Sequence, residues 1–129
     1  MHVRLYSVPV SPVGKVSVMA RPRGDDWLED EIKSLRQSGV DILVSLLTSE
    51  EERELHLVEE AASCRAQGIA FFSLPIIDHS VPPFSADTFA FLERLSAPLA
   101  EGKHVALHCR QGLGRSVMMA ACLLVLAGY

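Results

Sequence analysis

The sequence predicts an α/β domain: a central, mostly parallel sheet of about five strands flanked by helices. Three observations lead there. Short apolar or β-branched runs alternate with helical segments along the chain, the order that builds parallel strands through crossover helices. Residues 40–47 are almost continuously apolar, as a strand covered on both faces must be. Residues 104–107 run directly into a tight glycine-bearing loop and then an apolar helix over 117–127. With 129 residues, 49% hydrophobic and 22% charged, the chain has material for one core and reads as a single domain over 1–129.

The elements follow in order. Residues 3–8 and 15–19 alternate or are β-branched and are separated by Pro9, Ser11, Pro12 and Gly14, which predicts a strand, a turn and a strand. Arg21 and Arg23 form a basic loop. Asp25 or Asp26 then caps a helix over 27–38, with Glu29 completing a capping box with Asp26, Gly39 as the stop, and Trp27, Leu28, Ile32 and Leu35 on the inward stripe. Residues 40–47 are expected to be the central strand. Thr48 or Ser49 opens one further helix carrying Leu55, Val58, Ala62 and Cys64 and ending at Gly68; its acidic run Glu50, Glu51 and Glu52 reads as a solvated first turn that suits the helix dipole. Residues 69–74 are the next strand, 76–84 a loop, and Ser85 caps a helix reaching Leu99. Ligands in such a sheet bind at the C-terminal strand ends.

Composition excludes several classes of function. A formal charge of -4 leaves no broad basic face for nucleic acid or anionic lipid. The most apolar stretch, 117–127, is too short to span a bilayer, so no membrane partner is expected. Three cysteines, with no CxxC and no Cys/His pair at ligand spacing, argue against a disulfide framework and a zinc site. The N-terminus lacks the pattern of a signal peptide. A reducing, cytoplasmic setting is the expectation.

The chemistry gathers in His108-Cys109-Arg110-Gln111-Gly112-Leu113-Gly114-Arg115-Ser116. Between a strand and a helix, the backbone N–H groups from Arg110 through Gln111, Gly112, Leu113 and Gly114 to Arg115 can surround one anion above the positive end of the helix dipole. Gly112 and Gly114 would permit positive φ and close approach. The same field favours a thiolate at Cys109, because a cysteine at a helix N-terminus beside cations can titrate at roughly 3.5–7.5. Arg115 supplies a planar fork for two phosphate oxygens, and Ser116 can donate a hydrogen bond to sulfur. These parts suit covalent transfer of a phosphoryl group. A buried structural cysteine on a strand-to-helix turn is the bland alternative.

Cysteine, five residues, arginine and serine, preceded by His108, resembles the signature of the cysteine-based protein tyrosine phosphatase superfamily, specifically its small dual-specificity-like members. The resemblance implies that Cys109 is the nucleophile, that Arg115 binds phosphate, that Ser116 assists the second step, and that His108 tunes the cysteine through hydrogen bonds. It also implies a phosphocysteine intermediate, no metal or other cofactor, and a phosphorylated protein or small phosphomonoester as substrate. Phosphotyrosine leads, with phosphoserine and phosphothreonine behind it. Asp78, in Pro75-Ile76-Ile77-Asp78 with Pro82 four residues on, is similar to the general acid of this branch; a turn residue is the alternative, and His79 is a weaker rival.

Two other readings keep the same loop: a phosphate-binding pseudophosphatase, and an inositol-phosphate phosphatase. The second is disfavoured because Arg110 is the sole extra charge inside the loop. Relatives of this type continue into one or two further helices, so an end at Tyr129 implies a truncated domain or a homodimer that covers Val117, Met118, Ala121, Leu124 and Val125. A redox role would pair Cys109 with Cys64 or, less readily, Cys122.

Overall fold

The computed structural model describes residues 5–10, 14–76, 86–110 and 114–126. Strands β1 (Leu5–Val10), β2 (Gly14–Ala20), β3 (Ile42–Ser45), β4 (Ala70–Ser73) and β5 (His104–Cys109) form one sheet in the order β1-β2-β5-β3-β4. The four strands β2, β5, β3 and β4 are mutually parallel, and β1 adds antiparallel to β2 at the edge. Helices α1 (Leu28–Gln37), α2 (Ser49–Glu54), α3 (Glu60–Ala66), α4 (Ala86–Ala100) and α5 (Gly114–Leu126) complete the fold.

The middle of the sheet is β5, not the stretch 40–47. All six residues of β5 are buried, and its two faces look into different cores. Val105, Leu107 and Cys109 join Val44, Leu92, Leu99, Met119 and Leu123 beneath α4 and α5. Ala106 joins Met19, Ile32, Leu35, Leu43, Leu57 and Cys64 beneath α1 and α3. Each fully buried Leu or Ile here contributes about 1.5–3 kcal/mol relative to an exposed one. The start of β5 is tied to both neighbours, through a hydrogen bond between the His104 ring and Ser17 and through His104 N–H donating to Asp41 at 2.9 Å.

Two helices depart from expectation. The segment expected as one helix after Thr48 is two, because the chain turns between α2 and α3 with His56 at φ 58, burying Leu57 and leaving Val58 60% exposed. The turn is a docking point: a Cβ on Gly24 would lie 2.4 Å from the His56 carbonyl oxygen and 2.5 Å from that of Leu55, so backbone meets backbone there. Trp27 is half exposed rather than inward. It ends a 3₁₀ turn that Asp25 opens at φ 53, and the Arg23 guanidinium stacks over its ring at 4.2 Å. Neither Asp25 nor Asp26 caps α1, which starts without a side-chain cap.

Helix α5 buries Met119, Ala120 and Leu123 and leaves Val117, Met118 and Val125 exposed, so the bare apolar face read from the sequence is present. No helix among the described residues is long and apolar enough to cross a membrane.

Candidate active site

Parallel register sets the site. Ala20 pairs with Cys109 and Ser45 with His108, so β2, β5 and β3 end at one edge of the sheet. From that edge depart the loop at Arg21, the turn into α2, and the loop after Cys109. Arg23 adds no free positive field there, because its Nε donates to Glu31 at 2.6 Å.

Cys109 is 3% exposed, and its Sγ lies 3.6 Å from the Ser116 Oγ. In the thiol form the S–H donates to that oxygen; in the thiolate the hydroxyl donates to sulfur. Arg115 and Ser116 stand in the first turn of α5, both buried, so the helix begins inside the motif rather than after it. Gly114 is that helix's first residue, has no positive φ, and a Cβ there would meet nothing within 4 Å. The freedom expected of Gly114 is therefore not used. Gln111, Gly112 and Leu113 lie outside the described residues, as do Asp78 and His79.

The buried Arg115 guanidinium is held in a two-pronged grip. Nη1 donates to Glu51 Oε1 at 2.8 Å and Nη2 to Glu51 Oε2 at 2.9 Å. Nη1 also donates to the Ile76 carbonyl at 2.7 Å, which ties the arginine to the segment leading toward Asp78. Glu51 is thus no solvated first-turn residue. It closes a capping box with Thr48, accepting from Thr48 N–H at 3.1 Å while its own N–H donates to Thr48 Oγ1 at 3.2 Å. The Arg115 hydrogen bonds hold the Glu51 carboxyl at about 2, against the opposing effect of burial. The signal in the sequence was Thr48 followed three residues on by Glu51. Nothing local said that the box also grips an arginine.

Arg110 pairs with Glu54 of α2 at 2.8 Å, half exposed. His108 points to the other face of the sheet, where its Nε2 meets Glu60 Oε2 at 2.6 Å. Glu60 was not read as functional, although Leu57, Glu60 and Cys64 share one inward stripe. Cys64 lies in the core beneath α1 and α3, whereas Cys109 lies in the one beneath α4 and α5. Burial and the Glu60 charge push the Cys64 thiol up to about 12. A sulfur so placed makes a poor disulfide partner for Cys109, against the redox expectation.

A nearly buried thiol closing the central parallel strand, with a hydroxyl at its sulfur and an anchored arginine one loop later, is the arrangement of the cysteine-based phosphatases. The profile of the DSP-PTPase phosphatase of polymorphic toxin systems, Tc-R-P, matches residues 17–129, and the chain belongs to that family. Among solved structures, kinase associated phosphatase (KAP) with its catalytic cysteine substituted by serine superposes with a TM-score of 0.85 at 22% identity, covering 98% of this chain and 76% of that one. Tk-PTP in its active form gives 0.71 at 23% identity, over 92% of this chain and 76% of the other. Pseudomonas aeruginosa TpbA in complex with pTyr gives 0.59 at 21% identity, over 96% and 71%. At these identities the likeness is one of fold. Cyclin-dependent kinase inhibitor 3 of Rattus norvegicus is 26% identical over 98 residues, 76% of this chain, and the chain spans 46% of that relative's length.

Proposed function

We propose that the domain hydrolyses phosphomonoesters through a phosphocysteine on Cys109, with phosphotyrosine in proteins as the leading substrate and phosphoserine or phosphothreonine behind it. The observation that carries this reading is the anchored Arg115, a buried fork in the first turn of α5 and one loop from a thiol that already faces a hydroxyl at 3.6 Å. The thiolate attacks phosphorus, the S–P bond forms, and the P–O bond to the leaving group breaks while Asp78 gives that oxygen a proton. Water then attacks phosphorus and gives its proton to Asp78. The S–P bond breaks as the Ser116 hydroxyl donates to the departing sulfur. Backbone N–H groups from Arg110 to Arg115, through Gln111, Gly112, Leu113 and Gly114, hold the phosphate oxygens, and Arg115 strengthens its hold as charge gathers on them.

The chemistry requires a reduced Cys109, which suits a reducing, cytoplasm-like compartment. Phosphotyrosine is favoured because TpbA, a relative in fold, is solved with pTyr. Arg110 is already balanced by Glu54, which weighs against a multiply phosphorylated inositol. Hydrolysis of an aryl phosphate by the purified domain is the test. Cys109→Ser is expected to abolish turnover while phosphopeptide binding persists, and Arg115→Ala to lose both. Full activity in Cys109→Ser overturns the mechanism, and tight phosphopeptide binding by the unaltered protein with no phosphate released over hours would establish a pseudophosphatase instead.

A further inference from the structure

Behind the candidate nucleophile, on the opposite face of the sheet, lies a buried ionisable pair that the reaction scheme leaves unused. His108 is 0% exposed and Glu60 1% exposed. His108 Nε2 and Glu60 Oε2 are 2.6 Å apart, and both residues keep a second polar atom, His108 Nδ1 and Glu60 Oε1, buried without a partner among the described residues. A pair so incompletely satisfied is a poor stabilising device, because apolar side chains of the same volume would hold the fold at least as well. Its position is specific, one residue before Cys109 on the central strand.

We propose that Glu60 is a positioning residue for Cys109, acting through His108: its carboxylate fixes the ring and balances a second proton on it, so that a positive imidazolium backs the thiolate. A ring buried at this depth can carry that charge only if a counter-charge is in contact with it, and Glu60 supplies it at 2.6 Å. Successive strand residues point to opposite faces, so the ring acts across one thickness of backbone while Ser116 and the loop act from the other side. The proposal rests on Cys109 being the working nucleophile.

The surrounding charges are few. On the Glu60 side, Glu52 of α2 and Cys64 of α3 face the pair; burial and then the Glu60 charge raise the Glu52 carboxyl, with His108 pulling it back, and burial and Glu60 likewise raise the Cys64 thiol. On the Cys109 side, Arg115 is matched by Glu51, and Arg110 by Glu54 at the rim. The His108–Glu60 contact is therefore the buried ionisable pair that adjoins Cys109 in sequence while lying on the far face of the sheet.

The test is the pH dependence of Cys109 alkylation by iodoacetamide, followed peptide by peptide so that Cys64 and Cys122 are scored separately. Glu60→Gln, which keeps the shape and removes the charge, is expected to move the Cys109 midpoint upward by about one pH unit, the size of effect a unit charge exerts through a protein interior over one strand residue. The acidic limb of kcat/KM should move with it. Glu60→Asp, which keeps the charge, should stay close to the parent. In a His108→Gln background, Glu60→Gln should change the midpoint no further. An unmoved midpoint in folded Glu60→Gln, or an equal shift with and without His108, overturns the proposal; if Glu60→Gln does not fold, a Glu60→Asp midpoint one unit or more above the parent does so. Alkylation reads the thiolate whether or not phosphate is released, so failure of the hydrolase assignment would be seen apart from failure of this one.

Discussion

Replacing Glu51 by glutamine isolates the grip on Arg115. The side chain is 12% exposed, so solvent screens the pair little, and its carboxyl is lowered from the ordinary 4.5 to about 2. That displacement corresponds to about 3 kcal/mol of folded-state stabilisation at about 1.4 kcal/mol per pH unit. The sign follows from the direction. A carboxyl whose folded value is depressed adds stability in full above 4.5, and the contribution drains away as pH falls from 4.5 through about 2. Glutamine also leaves the guanidinium without a counter-charge, so a loss of about 2–4 kcal/mol at pH 7 is expected. Urea unfolding of both proteins at pH 7 and pH 3 measures it. The difference should shrink to about half or less at pH 3, where the folded carboxylate is still mostly ionised but the unfolded one is already protonated, so that ionisation favours the folded state far less than at pH 7. Equal destabilisation at both pH values, or a loss below about 0.5 kcal/mol at pH 7, would refute the reasoning, since either would mean that the ionised pair contributes nothing beyond shape.

Other outcomes follow from separate parts of the molecule. Asp78→Ala should slow hydrolysis by roughly 10²–10⁴ for an alkyl phosphate and much less for a nitrophenyl phosphate, whose leaving group needs no proton; equal losses on both would remove the acid assignment. Gly24→Ala should cost about 1–3 kcal/mol in urea unfolding, because its Cβ meets the His56 and Leu55 carbonyls, which are backbone and cannot step aside, and a neutral result would mean that the loop does not dock there. The exposed Val117, Met118 and Val125 of α5 should support self-association, seen as a dimer by sedimentation at low micromolar concentration and weakened by Val125→Lys. A monomer that binds no hydrophobic dye would count against it.

What the sequence made legible was what is local. Cys109, Arg115 and Ser116 lie within eight positions of one another, so that residue type and spacing alone bring them forward as one candidate site. The parallel sheet was equally plain, because near-continuous apolar runs require cover on both faces. The centre of the sheet was not: 40–47 is longer and more apolar than 104–109, yet strand order depends on which neighbours pair, and β5 takes β2 on one side and β3 on the other. Glu51 and Glu60 were illegible as site residues for the same reason. Each is one glutamate among several on an acidic stretch, and its partner lies 64 or 48 positions away. The break after α2 lies where the Gly24 loop packs its backbone against the chain, a contact distant in sequence that the periodicity of residues 49–67 does not carry.

The six-residue length of α2 gives the site a property of its own. A helix so short cannot stand alone in water, where about 12–15 residues are needed for even marginal stability. Its first turn is closed by Thr48 and Glu51, and the same Glu51 holds Arg115. Fraying of these two turns and release of the arginine are therefore one event. If Arg115 holds phosphate as proposed, the fraction of molecules ready to bind it follows this small local opening equilibrium, and an occupied site, by retaining Arg115 in place, would in turn quiet the amide exchange of α2.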